Sequence, residues 1–229
     1  MIDELLPETV VAVEAHGEEG VREFGGGPLY PEEEALLARA VAKRRREFTV
    51  VRGCARRAME KLGVAPQPVL PGERGAPQWP AGLTGSMTHC DGYGAAALVR
   101  ATDLASLGID AEPHRPLPEG VQSAIALPAE EERLRGLAAD RPEVHWDRLL
   151  FSAKESVYKA WFPLTRKWLD FAEADIDIDP GLADGARGTF RARLLVPGPV
   201  LGGRRLDHFD GRWSVERGLV ATAITVARA

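Results

Sequence analysis

The most suggestive residues are acidic and stand two apart. In Gly108-Ile109-Asp110-Ala111-Glu112, at the end of an apolar run, the alternating faces of a strand direct both carboxylates to one side, where they can share a divalent cation. The plain alternative is a solvated edge strand. A third carboxylate lies in Phe151-Ser152-Ala153-Lys154-Glu155-Ser156-Val157-Tyr158-Lys159, whose apolar residues recur at helical spacing, so Glu155 and Lys159 share one face. On an exposed helix such a pair contributes only about 0.3–0.5 kcal/mol. Set against Asp110 and Glu112 instead, Glu155 would complete three oxygen ligands for Mg²⁺, an ion that keeps waters and takes its remaining ligands from phosphates. Lys159, one turn away, would then neutralise a phosphate oxygen. Ser86-Met87-Thr88-His89 ends another strand-like run. No nucleophile elbow surrounds Ser86, and His89 and Cys90, as strand neighbours, face opposite ways, which argues against a thiol enzyme. The glycines at 25–27 and 82–85 match neither a Walker loop nor a dinucleotide fingerprint.

Concentrated positive charge lies upstream of these acids. Residues 39–62 carry Arg39, Lys43, Arg44, Arg45, Arg46, Arg52, Arg56, Arg57 and Lys61 against Glu47 and Glu60, whereas residues 1–34 hold ten acids and one base, Arg22. The whole chain has a formal charge of −5, which weighs against nonspecific nucleic-acid binding, so the basic stretch points to a small polyanion. On a helical wheel Arg45, Arg52 and Arg56 form a stripe beside the apolar arc, and Arg44 falls inside that arc at its N-terminal end.

The elements that must position these groups follow from periodicity and punctuation. Pro31 before three glutamates marks a helix start. Apolar residues from Val41 to Leu62 predict one long helix, or two with a break near residue 42, stopping at Gly63. Residues 65–80, rich in Pro and Gly, read as a loop. Strands are expected at 83–89, 94–100 and 104–112, with Asp91-Gly92 as a hairpin turn, then at 174–179, 188–196, 212–217 and 219–227. Helices are expected at 128–137 and 146–162. The order of helix then strands occurs twice, which predicts an α+β fold of two similar lobes, residues 1–107 and 108–229.

With 229 residues, 45% apolar and 28% charged, the chain has the composition of a soluble globular protein of one or two domains. No apolar run approaches the roughly 18 residues that span a bilayer. Residues 1–13 are acidic and lack the basic start and long apolar stretch of a secretion signal, so the expected compartment is the cytoplasm. Cys54 and Cys90 are too few for a zinc framework and are expected as buried thiols.

The pairing of Gly108-Ile109-Asp110-Ala111-Glu112 with Phe151-Ser152-Ala153-Lys154-Glu155 and Lys159, about 40 residues later, resembles the signature of the 4′-phosphopantetheinyl transferases. Gly75-Ala76-Pro77 and residues 86–89 look like that family's two earlier motifs. The resemblance runs from about residue 40 to the C-terminus and is closest to the monomeric, two-lobed class that activates siderophore, polyketide and peptide synthetases. The 161–168 segment resembles the actinobacterial type II enzymes. The resemblance implies two lobes, each a long helix on a small antiparallel sheet, with coenzyme A in the cleft between them. It implies Mg²⁺, or Mn²⁺, on the coenzyme's diphosphate, and transfer of the phosphopantetheine arm to a serine of an acyl or peptidyl carrier protein. Asp110, Glu112 and Glu155 would hold the metal, with Glu155 also taking the serine proton. Lys159 would contact the diphosphate and assist the departing 3′,5′-ADP. Arg44, Arg52 and His89 would bind the nucleotide end, with Ser86 beside them in the same motif and Arg45, Arg56 and Arg74 as further candidates; Lys154 would reach phosphate too. Pro71 precedes Gly72 where the family commonly has a basic residue, so Arg74 is expected to supply that charge. Carrier docking is expected after His114 and around 162–168. Neither nucleic acid nor membrane is an expected partner. Two other readings use the same residues: a Mg²⁺-dependent nucleotide phosphohydrolase, and a non-catalytic polyanion-binding module.

Overall fold

In the computed structural model, which describes residues 1–181 and 186–228, the acidic N-terminal stretch is ordered by burial rather than by pattern. Ile2, Leu5, Leu6 and Val10 are buried, and the chain then enters β1 (Val11–His16) and α1 (Gly17–Phe24). Next, α2 (Pro31–Leu36) begins at its proline, and the expected break separates it from α3 (Ala42–Lys61), which Gly63 terminates with φ +69°. After the 65–80 loop come β2 (Leu83–Cys90) and β3 (Tyr93–Arg100), joined through Gly92 at φ +72°. The remaining elements are β4 (Leu104–Pro113), α4 (Val121–Ile125), α5 (Pro128–Asp140), α6 (Trp146–Thr165), β5 (Ala174–Asp179), β6 (Arg187–Leu194), β7 (Val200–Leu201), β8 (Arg204–Arg205), β9 (His208–Glu216) and β10 (Leu219–Ala227).

Two antiparallel sheets each carry one long helix, as the repeated order predicts. The first sheet has the order β1-β3-β2, and the second β4-β10-β9-β6-β5. Against the first, α3 buries Val50, Cys54, Ala55, Ala58 and Met59 over Val13, Ala15, Leu83, Ala96 and Leu98. Against the second, α6 buries Leu149, Leu150, Ala153, Val157 and Trp161 over Ile176, Phe190, Trp213 and Ile224. The expected lobe boundary at 107/108 falls inside β4, which is one continuous strand of the second sheet.

The two sheets meet at a seam between β2 and β4 that has side-chain hydroxyls in place of a backbone ladder. Ser86 Oγ accepts from Ile109 N at 3.1 Å, and Thr88 Oγ1 accepts from Ala111 N at 3.1 Å. A third core closes the side away from the long helices. Ile2, Leu5, Leu6 and Val10 pack on Ala95, Ala97 and Val99 of β3 and on Leu107, Ile109, Ala111, Ala221 and Ala223 of β4 and β10. The N-terminal segment therefore clasps both sheets, and this is why β3 is buried along almost its whole length on both faces. Each such aliphatic side chain stabilises by roughly 1.5–3 kcal/mol, against an ordering cost of roughly 1–2 kcal/mol per residue.

Candidate active site

Gly108 sets the distance between the strand that carries two of the acids and the helix that carries the third. A Cβ there would lie 2.1 Å from Ser156 O and 2.7 Å from Ala160 N, so only glycine lets α6 rest directly on β4. Ser106 Oγ donating to Ala160 O at 2.8 Å fixes the same approach. In consequence Lys159 reaches across to β4, where its Nζ donates to Asp110 Oδ1 at 2.7 Å and to Ile109 O at 3.1 Å. Thr88 donates to the same Oδ1 at 3.1 Å. Asp110 is buried, and its other oxygen, Oδ2, has no hydrogen-bond partner.

The three carboxylates share one electrostatic environment. Burial raises the pKa of Glu112, the Asp110 charge raises it further, and Arg148, donating to Glu112 Oε2 at 2.9 Å, opposes the rise. Burial also raises Glu155; there Lys159 opposes the rise and Asp110 adds to it. Among the described residues, no three His, Cys, Asp or Glu side chains are preassembled around a point where an ion would sit. Lys159 and Arg148 occupy one oxygen each of Asp110 and Glu112. The donor set nevertheless fits a hard divalent cation: three carboxylates, one with a buried oxygen that nothing satisfies.

Beside them opens a cleft of about 950 Å³ between the lobes, lined by Arg44, Arg52, Arg74, Ser86, His89, Glu155 and Lys159. Arg44 Nη1 donates to His89 Nε2 at 2.8 Å, so that nitrogen accepts and the ring proton sits on Nδ1. Burial, and then the Arg44 charge, lowers the His89 pKa, which keeps the ring neutral. Arg52 donates from Nε to Val69 O at 3.0 Å, and its guanidinium lies 3.9 Å over the Phe48 ring. Burial lowers its pKa to about 10, still high enough to hold the charge at neutral pH. Arg74, in a left-handed turn with φ +53°, lies 5.5 Å over the ring of the exposed Trp168 and so bridges the two lobes at the mouth of the cleft.

Other predicted residues lie elsewhere. Lys154 is 2% exposed and directs its Nζ into the core, to Glu130 Oε2 at 2.9 Å, Phe171 O at 2.7 Å and Ala174 O at 2.9 Å. Adjacent residues on a helix point about 100° apart, so Glu155 faces the acids while Lys154 does not. Arg45 is paired with Glu34 at 2.6 Å, and Arg56 with the fully buried Glu33 at 2.9 Å, so both tie α3 to α2. A second pocket of about 210 Å³, mostly apolar, lies beyond Glu155 among Tyr158, Trp168, Leu169 and Phe171. The Tyr158 hydroxyl is buried without a hydrogen-bond partner.

Comparison with known proteins identifies the arrangement. Residues 32–99 match the 4′-phosphopantetheinyl transferase N-terminal domain, and residues 106–195 match the 4′-phosphopantetheinyl transferase superfamily. The chain belongs to the 4′-phosphopantetheinyl transferase family. Among its relatives, the 4′-phosphopantetheinyl transferase Svp of Streptomyces mobaraensis is 60% identical over 99% of this chain and 89% of its own length. The transferase PptT of Mycobacterium tuberculosis is 49% identical over 99% of this chain and 98% of its own. The transferase Npt of Nocardia iowensis is 52% identical over 86% and 89%. No helix among the described residues is long and apolar enough to cross a membrane.

Two residues around the acids of this transferase escaped the sequence reading. Thr88 was visible only as part of a motif, and nothing in it announces a hydroxyl shared between Ala111 N and Asp110. Arg148 did leave a signal. It precedes Glu155 by seven residues, two helical turns, and so shares its face.

Proposed function

We propose that the chain transfers the 4′-phosphopantetheine arm of coenzyme A to a serine of acyl or peptidyl carrier proteins, with release of 3′,5′-ADP, in a reaction that depends on Mg²⁺ or Mn²⁺. In this reading Asp110, Glu112 and Glu155 hold the metal. The observation that carries it is the Lys159–Asp110 contact, 49 residues apart in sequence, which leaves Asp110 Oδ2 unsatisfied beside a cleft walled by arginines. The same proposal divides the chain into lobes 1–107 and 108–229 and takes it to act as a cytoplasmic monomer, with no nucleic-acid or membrane partner.

Attack of a hydroxyl on a phosphorus flanked by anionic oxygens needs alignment and charge neutralisation more than covalent chemistry. A metal held by Asp110, Glu112 and Glu155 would neutralise the diphosphate and stabilise the leaving group. Lys159 places its ammonium on the diphosphate, and Arg44, Arg52, Arg74 and the neutral His89, with Ser86 on the floor of the cleft, hold the nucleotide end. The uncharged arm suits the apolar pocket beyond Glu155. The serine oxygen forms its bond to the pantetheine-bearing phosphorus, the bond to 3′,5′-ADP breaks, and the Glu155 carboxylate takes the hydroxyl proton. Its raised pKa suits proton acceptance.

The test is intact mass spectrometry of an apo carrier protein incubated with the chain, coenzyme A and Mg²⁺. A gain of one phosphopantetheine arm is expected, lost in Asp110→Ala and Glu155→Ala. Phosphate release without a modified carrier would favour a phosphohydrolase and overturn the assignment.

A further inference from the structure

The stretch that follows β4, residues 114–120, is neither helix nor strand. Pro116 and Pro118 lack the N–H that a ladder requires, and the carbonyls of Arg115 and Pro116 lie outside any strand. One side chain satisfies both. Arg148, buried in the first turn of α6, donates Nε to Arg115 O at 3.1 Å and Nη2 to Pro116 O at 2.9 Å. Its third nitrogen, Nη1, donates to Glu112 Oε2 at 2.9 Å. The preceding residue, Asp147, accepts from Leu117 N at 2.7 Å, so the start of α6 fastens three successive residues of the loop.

We propose that Arg148 is a positioning residue for the transfer reaction, setting Glu112 as a metal ligand and holding the 114–118 loop in the same frame. The inference rests on the transferase reading above. All three guanidinium nitrogens are engaged by the protein and the residue is buried, so Arg148 is placed to act through Glu112. With Oε2 held, Glu112 is left its second oxygen for the ion. A planar fork is required because the three acceptors lie in different directions; the single ammonium of a lysine keeps the charge and cannot span them. The helix face that supplies Glu155 thus also fixes the orientation of Glu112. The residues it and Asp147 fasten lie three to five positions beyond Glu112, where the serine-bearing partner must approach a site at the end of β4.

The experiment begins with the unaltered chain, apo carrier, coenzyme A and Mg²⁺. No transfer there would overturn the transferase reading and this proposal with it; transfer isolates the question of Arg148. Mn²⁺ binding in the presence of coenzyme A is then followed by electron paramagnetic resonance for Arg148→Lys. We expect affinity to fall about tenfold or more, the usual effect of removing a group that orients a ligand. Coenzyme A binding without metal should stay within about twofold, and the KM for carrier should rise. In a Glu112→Gln background, Arg148→Lys should add less than about twofold to the loss of metal affinity, because its route is already cut. Asp147→Ala removes the acceptor for Leu117 N and loosens the loop while leaving Arg148 on Glu112, and it should keep Mn²⁺ affinity. Wild-type Mn²⁺ affinity in Arg148→Lys, or an equal loss in Asp147→Ala, would overturn the assignment.

Discussion

Replacing the seam hydroxyls should separate the two sheets energetically and disturb the acids between them. Ser86→Ala leaves the buried Ile109 N–H without an acceptor, a loss of about 1–3 kcal/mol. Thr88→Val, nearly isosteric, does the same to Ala111 N–H and also removes a donor from the buried Asp110 carboxylate, a bond of a kind that contributes about 1.5–3 kcal/mol. Because the two sites share one seam, their effects should combine less than additively, to about 3–6 kcal/mol for the double variant. For a chain of this size roughly 2–4 °C is lost per kcal/mol, so its thermal midpoint should drop by about 6–24 °C. Thr88→Ser keeps the hydroxyl and should lose under about 1 kcal/mol. Calorimetry and urea titration of the parent and the four variants measure this directly. A Ser86→Ala/Thr88→Val double variant within about 0.5 kcal/mol of the parent would refute the view that hydroxyls replace a ladder here.

Three further outcomes follow from individual contacts. Gly108→Ala should force α6 away from β4 and abolish transfer, since its Cβ would meet Ser156 O at 2.1 Å; parental turnover would contradict the close-approach argument. Lys154→Ala should leave the buried Glu130 charge without its ion-pair partner, held only by Leu127 N and Ile176 N, and destabilise the fold by about 3 kcal/mol; a change under about 1 kcal/mol in urea titration would show that the pair does not hold α5 to α6. Burial pushes both Cys54 and Cys90 up to about 12 from an ordinary 9.0, about a thousandfold less thiolate at pH 8. Cys54 is buried and Cys90, expected to be buried, is half-buried; the folded pKa of each lies above the unfolded one, so the thiols support the fold fully below pH 9 and lose that contribution as pH rises toward 12. Iodoacetamide at pH 8 should therefore label both cysteines in urea and neither in the native chain. Rapid native labelling of either would contradict this.

The parts legible in the sequence were those in which a local pattern and a tertiary role coincide. The α3 and α6 stripes, the apolar run of β4 and the Asp91-Gly92 turn each declare an element and are also what the core requires. Helical spacing likewise brought Glu155 and Lys159 to one face, and β4 alternation did the same for Asp110 and Glu112. What escaped was non-local. The segment 1–10 has no period, and its order comes from Ile2, Leu5, Leu6 and Val10 meeting small residues of three strands. The first half of β9 was missed because Asp210-Gly211 reads as a turn, yet Gly211 is there to clear the Phe190 ring, 2.1 Å from where a Cβ would stand. The charge of Lys154 was read as free for phosphate, whereas its partner Glu130 lies 24 residues earlier on α5, a pairing that no local pattern announces.

The ligand set is tested most directly by metal titration. Mn²⁺ binding to the full chain with coenzyme A present, followed by electron paramagnetic resonance, should show one equivalent bound, with affinity reduced at least about tenfold in each of Asp110→Asn, Glu112→Gln and Glu155→Gln. Parental affinity in any one of the three would remove that carboxylate from the site and contradict convergence on a single ion.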